Sequence, residues 1–244
     1  MPDFLTCGPV LVPPGRAHWI DIAQSPDFPT FAGQPSKVLV IADTPGGSSH
    51  KLARLLWQTG GLGAAMEYFD LDHVSFTLAG LWGTSNWSTY IEELARRRTS
   101  PNGVLAIILS WVDVTSLSGL GVEIMPSHFI QIQADDLDGQ AVRAAAALWD
   151  GNGNDDPPYE ARYIQAAANQ IVAYQRNWDL WSAAQNCARL MISAEHLRDE
   201  PAAVVRTIRD WMEVEGAESI QPPVLSPVVA RPSWLRRYRQ EKTS

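Results

Sequence analysis

The chain has 244 residues, 45% of them hydrophobic and 19% charged, which suits a soluble globular protein with one substantial core and excludes a disordered one. The formal net charge of −8 argues against a general nucleic-acid binder or an anionic-membrane binder. Two cysteines far apart, Cys7 and Cys187, imply no disulfide framework, and no apolar run approaches the ~18 residues of a membrane span. With no basic leader followed by an apolar run, a cytoplasmic protein is the expectation.

In chain order, residues 1–36 are rich in proline and glycine and read as an extended surface arm, with Trp19, Ile20 and Ile22 as anchors. Val38–Ala42 is a β-branched apolar run, the mark of a buried strand. It stops at Asp43-Thr44-Pro45-Gly46-Gly47-Ser48-Ser49, where the glycines permit positive φ and close approach of backbone to a ligand. Leu52, Leu55 and Leu56 then recur at helical spacing, with Ser48 or Ser49 as the N-cap. Strand, Gly/Ser loop and helix together aim backbone N–H groups at a phosphate. An ordinary strand-to-helix connection has the same local pattern, and the spacing of a nucleotide-triphosphatase P-loop is absent.

An acidic and aromatic cluster follows at Glu67, Tyr68, Phe69 and Asp70, then a polar stretch bearing Trp82 and Trp87. Tyr90–Arg98 reads as a helix whose basic end, Arg96-Arg97-Arg98, complements the helix dipole as a solvated face. Val104–Leu109 is a second buried strand after a Ser-Pro-Asn-Gly turn, and His128–Gln133 a third by alternation. Leu137–Trp149 is alanine-rich and helical, and residues 150–158 form a polar break with no calcium-loop spacing, so no metal is assigned. Tyr159–Gln185 is the longest helix, with Ile164, Ala168, Ile171, Tyr174, Trp178 and Trp181 on one face as core. Arg189–Ser193 is a fourth strand, and Pro201 opens a last helix reaching Val214. Strands alternating with helices predict a single α/β domain over 37–240, its mainly parallel sheet flanked by helices and its ligand edge at the Gly/Ser loop.

These segments, in this order, resemble the bacterial trehalose 2-sulfotransferase family. The resemblance covers about residues 37–240 through the first strand–loop–helix, LLWQTGGLGAAMEYF, RRRTSPNGV, ALWDGN and RPSWLRRYR. It implies a sulfotransferase-like fold with a P-loop-like strand–loop–helix. The implied activity is transfer of a sulfuryl group from 3′-phosphoadenosine 5′-phosphosulfate (PAPS) to a carbohydrate-type hydroxyl. It implies a small-molecule or carbohydrate acceptor, no nucleic acid or membrane partner, and a possible homodimer, since the family includes dimers. The family's general base is a glutamate before an aromatic pair, and Glu67 stands there. Gly46, Gly47, Ser48 and Ser49 would form the donor loop.

Against the family loop Ser-x-Arg-Ser-Gly-Ser-Thr, this chain has Pro45 in place of the arginine. Ala134 and Gly139 stand where the 3′-phosphate site has an arginine and a serine, and Ile108 replaces a lysine of the second strand. Acidic residues, Asp43, Asp135, Asp136 and Asp138, surround these positions. A charged hydrogen bond contributes about 1.5–3 kcal/mol, so three uncompensated losses weaken donor binding on the order of a thousandfold or more. His50, Lys51 and Arg143 are the candidate substitutes, with Arg231 a weaker one. The rival expectation is a catalytically lapsed member that keeps the fold as a binding or interaction module. A donor of lower charge is a third.

Overall fold

The computed structural model describes residues 27–71, 73–150, 158–215 and 231–243. The anchors Trp19, Ile20 and Ile22, Cys7, most of the 150–158 break and the proline-rich start of the tail lie outside the described residues.

Four strands form one parallel sheet in the order β2-β1-β3-β4: β1 Lys37–Ala42, β2 Val104–Leu109, β3 His128–Gln133 and β4 Ala188–Ser193. The first three were legible as apolar runs because a parallel sheet covered on both faces buries every side chain in turn. All six residues of β2 are buried. β4 is an edge strand and is largely exposed. The α/β class with a central parallel sheet flanked by helices therefore holds.

Between β1 and β2 run α1 (Ser49–Gln58), α2 (Val74–Trp82) and α3 (Trp87–Arg98), and α4 (Trp111–Gly119) leads to β3. Helices α5 (Leu137–Asp150) and α6 (Ala161–Ala184) connect β3 to β4. After β4 come α7 (Ala194–Asp199), α8 (Pro201–Trp211) and α9 (Pro232–Thr243). One sheet face, with Leu39, Ile41, Ala106, Ile108 and Ile130, packs on Leu52, Leu55 and Leu56 of α1 and Val204, Val205 and Ile208 of α8. The other face, with Val40, Ile107, Leu109 and Phe129, meets α2, α3 and Trp178 of α6. Helices α5, α6 and α9 share a third cluster around Ala145, Ile164, Ile171 and Trp234.

The reading of Arg96–Arg98 as a solvated face needs correction at its last residue. Arg98 is 2% exposed, its guanidinium lying over the Tyr68 and Trp82 rings at 5.7 and 5.6 Å and 3.0 Å from Asp27. The dipole argument addressed charge alone, whereas this side chain sits on the helix's inner face. Phe28 and Phe31 donate backbone N–H bonds to the carbonyls of Arg97 and Arg96, so the end of the arm is stitched to α3. Trp82 and Trp87 belong to the same packing: Trp87 is 3% exposed and Trp82 stacks on Tyr90 at 5.5 Å.

The chain leaves β1 toward β2 on one side, and leaves β3 toward β4 on the other. Because β1 and β3 are neighbours, their outgoing loops flank a topological switch point, the place where ligands gather in open α/β sheets.

Candidate active site

The β1 loop is shaped by its own turn chemistry. Gly47 donates its N–H to the Thr44 carbonyl at 2.9 Å, closing a turn with Pro45 and Gly46 in the middle. Gly46 has φ 65°, the conformation that a Pro-Gly turn of type II requires at its third position. The close approach expected of this glycine is real, but its neighbour is the protein itself. A Cβ on Gly46 would lie 2.5 Å from the Gln140 carbonyl oxygen and 2.8 Å from the Ala144 nitrogen, both in α5. Gln140 adds hydrogen bonds from Nε2 to Thr44 Oγ1 at 3.2 Å and to the Pro45 carbonyl at 3.0 Å. Gly46→Ala is therefore expected to cost about 2–4 kcal/mol, from αL strain plus displacement of α5. Chemical denaturation checks this, and a change below ~0.5 kcal/mol would contradict the packing.

Arg143, placed on the same face of α5 as Gly139, does reach this loop. Its Nε donates to the Gly46 carbonyl at 3.2 Å, so it braces the turn. Burial lowers its pKa, while Asp136 and Glu195 nearby oppose the shift. Asp136 accepts the Gly139 N–H at 3.0 Å at the start of α5. Arg239 of α9 pairs with Asp136 at 2.7 Å, and Lys242 with Asp138 at 3.0 Å. The helix N-terminus that the resemblance assigns to a 3′-phosphate is thus dressed with the protein's own carboxylates, and the basic tail helix answers their charge.

The corresponding feature at α1 is Asp43. Ser48 holds the N-cap position with no side-chain cap bond, and Ser49, 2% exposed, donates its hydroxyl to Asp43 Oδ1. The indole N–H of Trp178 donates to the Asp43 carbonyl at 3.1 Å. Burial raises the Asp43 pKa, against the pull of His50 and Ser49. The first turn of α1 still has N–H groups without partners inside the helix.

Glu67 enters from the segment between α1 and α2. Ile108 of β2 donates its N–H to the Met66 carbonyl at 2.9 Å, which fixes Glu67 at the C-terminal edge of the sheet. There Glu67 Oε2 lies 3.3 Å from His50 Nε2, while His50 Nδ1 lies 3.5 Å from Ser49 Oγ. Burial works against the imidazolium, but the hydrogen bond to Glu67 and the charges of Asp43 and Glu67 outweigh it, so the His50 pKa is raised. Residues 43, 49, 50 and 67 thus meet at the C-terminal edge of the sheet. Gly47, Ser48 and Lys51 are their neighbours in sequence.

Asp113 closes the acidic side and was not anticipated. It forms a capping box with Ser110 at the start of α4, Ser110 Oγ accepting its N–H at 3.1 Å and its Oδ2 accepting the Ser110 N–H at 2.8 Å. Burial raises its pKa from 3.8 to about 6, with Asp70 and Glu67 adding to the shift. A raised folded-state pKa means that the folded protein binds more protons than the unfolded chain between pH 3.8 and about 6. This contribution to stability is complete at low pH and is lost as pH rises through that window, on the order of 1–3 kcal/mol. Asp113→Asn should flatten stability against pH there, which urea titrations from pH 4 to 7 measure. An unchanged slope would remove Asp113 as its source.

A parallel α/β sheet with a strand–loop–helix and a carboxylate at its switch point is the arrangement that the site presents. The Stf0 sulphotransferase family model matches residues 127–241, just under half of the chain, from the start of β3 into α9. That match supports the family resemblance over this span. The β1 loop, His50 and Glu67 precede the matched span, whereas Arg143 lies within it. A comparison with curated proteins finds no match. Among the described residues no cluster of His, Cys, Asp and Glu could hold a metal ion, and no helix is long and apolar enough to cross a membrane.

Proposed function

We propose that the protein transfers a sulfuryl group from PAPS to a carbohydrate-type hydroxyl, with Glu67 as general base. The observation that carries this reading is the meeting of Glu67 with the first turn of α1, through His50, at the switch point. Sulfuryl transfer asks little covalent chemistry of a protein. It requires an acceptor oxygen aligned with the sulfur, a base for its proton, and donors toward the charge on the leaving phosphate. Glu67 takes the acceptor's proton as the new O–S bond forms and the bond from sulfur to the phosphate oxygen breaks. Ser48 and the first-turn N–H groups of α1 face the leaving group, with Ser49 and His50 behind them bonded to Asp43 and Glu67. Arg143 shapes the seat by holding the Gly46 carbonyl. Incubation with radiolabelled PAPS and a panel of sugars tests this reading: labelled sulfated sugar is expected, and no transfer to any acceptor would overturn it.

A second reading, a lapsed enzyme kept as a binding module, is favoured by one specific observation. Carboxylates of the protein, Asp43 at α1 and Asp136 at α5, stand at both helix N-termini where donor phosphates would sit. Asp43→Ser, which installs the family residue, separates the two. In an active enzyme whose seat tolerates Asp43, the change alters donor affinity less than about threefold. In a lapsed seat blocked by Asp43, it creates binding of adenosine 3′,5′-bisphosphate that the parent chain lacks.

A further inference from the structure

The strongest unassigned feature is a continuous hydrogen-bonded chain: the Asp43 carboxylate, Ser49 Oγ, the His50 ring and the Glu67 carboxylate. The resemblance assigns Glu67 as the base and Ser49 to the donor loop, and His50 enters the sequence reading only as a substitute for a missing cation. Proton counting says more. With the Ser49 hydroxyl donating to Asp43, the 3.5 Å contact between Ser49 Oγ and His50 Nδ1 is a hydrogen bond in the tautomer that carries a proton on Nδ1. The contact between His50 Nε2 and Glu67 Oε2 needs one proton between two groups that otherwise present lone pairs to each other. Both requirements are met when His50 is the imidazolium and Glu67 the carboxylate.

We propose that His50 is the positioning residue for Glu67, an imidazolium held between Glu67 and the Asp43-bonded hydroxyl of Ser49 that keeps the base ionised and in one orientation. This inference rests on the reading of Glu67 as the base. The charged surroundings fit it. Around His50 stand Asp43 at the end of β1 and Glu67, and around Glu67 stand Asp70 and Asp113 of α4. A carboxylate in that company is under pressure to take up a proton, and a proton already bound leaves no base. The His50 cation offsets that pressure. Because Ser49 is buried and α1 is packed through Leu52, Leu55 and Leu56, the ring has a fixed root. It is placed at the second position of α1, where the helix dipole alone would disfavour a cation. The two carboxylates supply the compensation.

The test has two readouts. In the first, the His50 ring is titrated by NMR in the full chain and in the Glu67→Gln variant. Loss of the Glu67 partner is expected to lower the His50 midpoint by at least half a pH unit. A midpoint that does not move overturns the proposal, whether or not the protein turns over PAPS. In the second, kcat is followed against pH for the parent chain and His50→Gln, an uncharged side chain that still donates a hydrogen bond. The parent is expected to lose activity as pH rises through the His50 midpoint. His50→Gln is expected to lack that alkaline limb and to turn over about tenfold more slowly, with an unchanged melting temperature. An alkaline limb persisting in His50→Gln would overturn the positioning role. Absence of turnover in the parent chain, with the NMR coupling intact, would count against sulfuryl transfer and leave the His50–Glu67 clamp standing.

Discussion

Glu67→Gln is expected to cut turnover by about 10²–10⁴-fold while leaving the fold in place. Glutamine keeps the shape and length of the side chain but cannot take a proton from an acceptor hydroxyl. The stability cost should stay below about 1 kcal/mol, because the His50–Glu67 pair is partly exposed, at 40% and 23% of the two side chains. KM for the donor should change little, since the role proposed for Glu67 is on the acceptor's proton. Steady-state kinetics with PAPS over a sugar panel, beside a thermal melt, separate these effects. Equal turnover in parent and variant would remove Glu67 as the base.

The largest stability effect is expected at Trp178. Its side chain is completely buried, meeting Trp111 edge-on at 5.5 Å, Trp181 edge-on at 5.6 Å and Phe129 at 5.8 Å. Its indole N–H also holds the Asp43 carbonyl. Trp178→Ala removes this packing, leaves a cavity between α4, α6 and β3, and frees the start of the β1 loop. A loss of about 3–5 kcal/mol follows from the cost of large-to-small core changes. For a chain of this size that is a fall of roughly 6–20 °C in Tm. Trp178→Phe keeps most of the volume and gives up the hydrogen bond, so it isolates the contact to Asp43. A fall of less than about 1 kcal/mol in Trp178→Ala would contradict this account of the core.

Much of this architecture was legible in the chain because parallel strands covered on both faces announce themselves. Val104–Leu109 and His128–Gln133 coincide with β2 and β3, bounded by turn residues before each. The apolar stripe of α6 was equally readable, since Ile164, Ala168, Ile171 and Trp178 recur at helical spacing and are all buried. Helix α2 was not anticipated: Val74–Trp82 is apolar nearly all round and carries no amphipathic period. Helix α4 does carry a sequence signal, the Ser110-x-x-Asp113 capping box. Helix α9 follows a proline-rich stretch whose composition masked the spacing of Trp234 and Tyr238.

The site was legible in part, as residue types at plausible places. Sequence could place a Gly/Ser loop after a strand and a glutamate before an aromatic pair. It could not bring Glu67 to His50, because that meeting depends on Ile108 of β2 holding the Met66 carbonyl far along the chain. Nor could it tell that Gly46 makes room for α5 instead of a ligand, since a tight backbone approach has one signature whatever approaches. The spacing of Arg143 after Gly139 suits a reach toward phosphate, and the structure gives its Nε to the Gly46 carbonyl. Local pattern records conformation well and partners poorly.

The central claim is that the first turn of α1 seats the donor nucleotide. A thermal-shift titration of the full chain with adenosine 3′,5′-bisphosphate, the desulfated product, at low and moderate salt tests it most directly. At about a hundred times its dissociation constant the ligand should stabilise the fold by roughly 2.7 kcal/mol. The account predicts a rise in Tm that weakens with salt. An unchanged Tm up to millimolar ligand at both salt concentrations would contradict it.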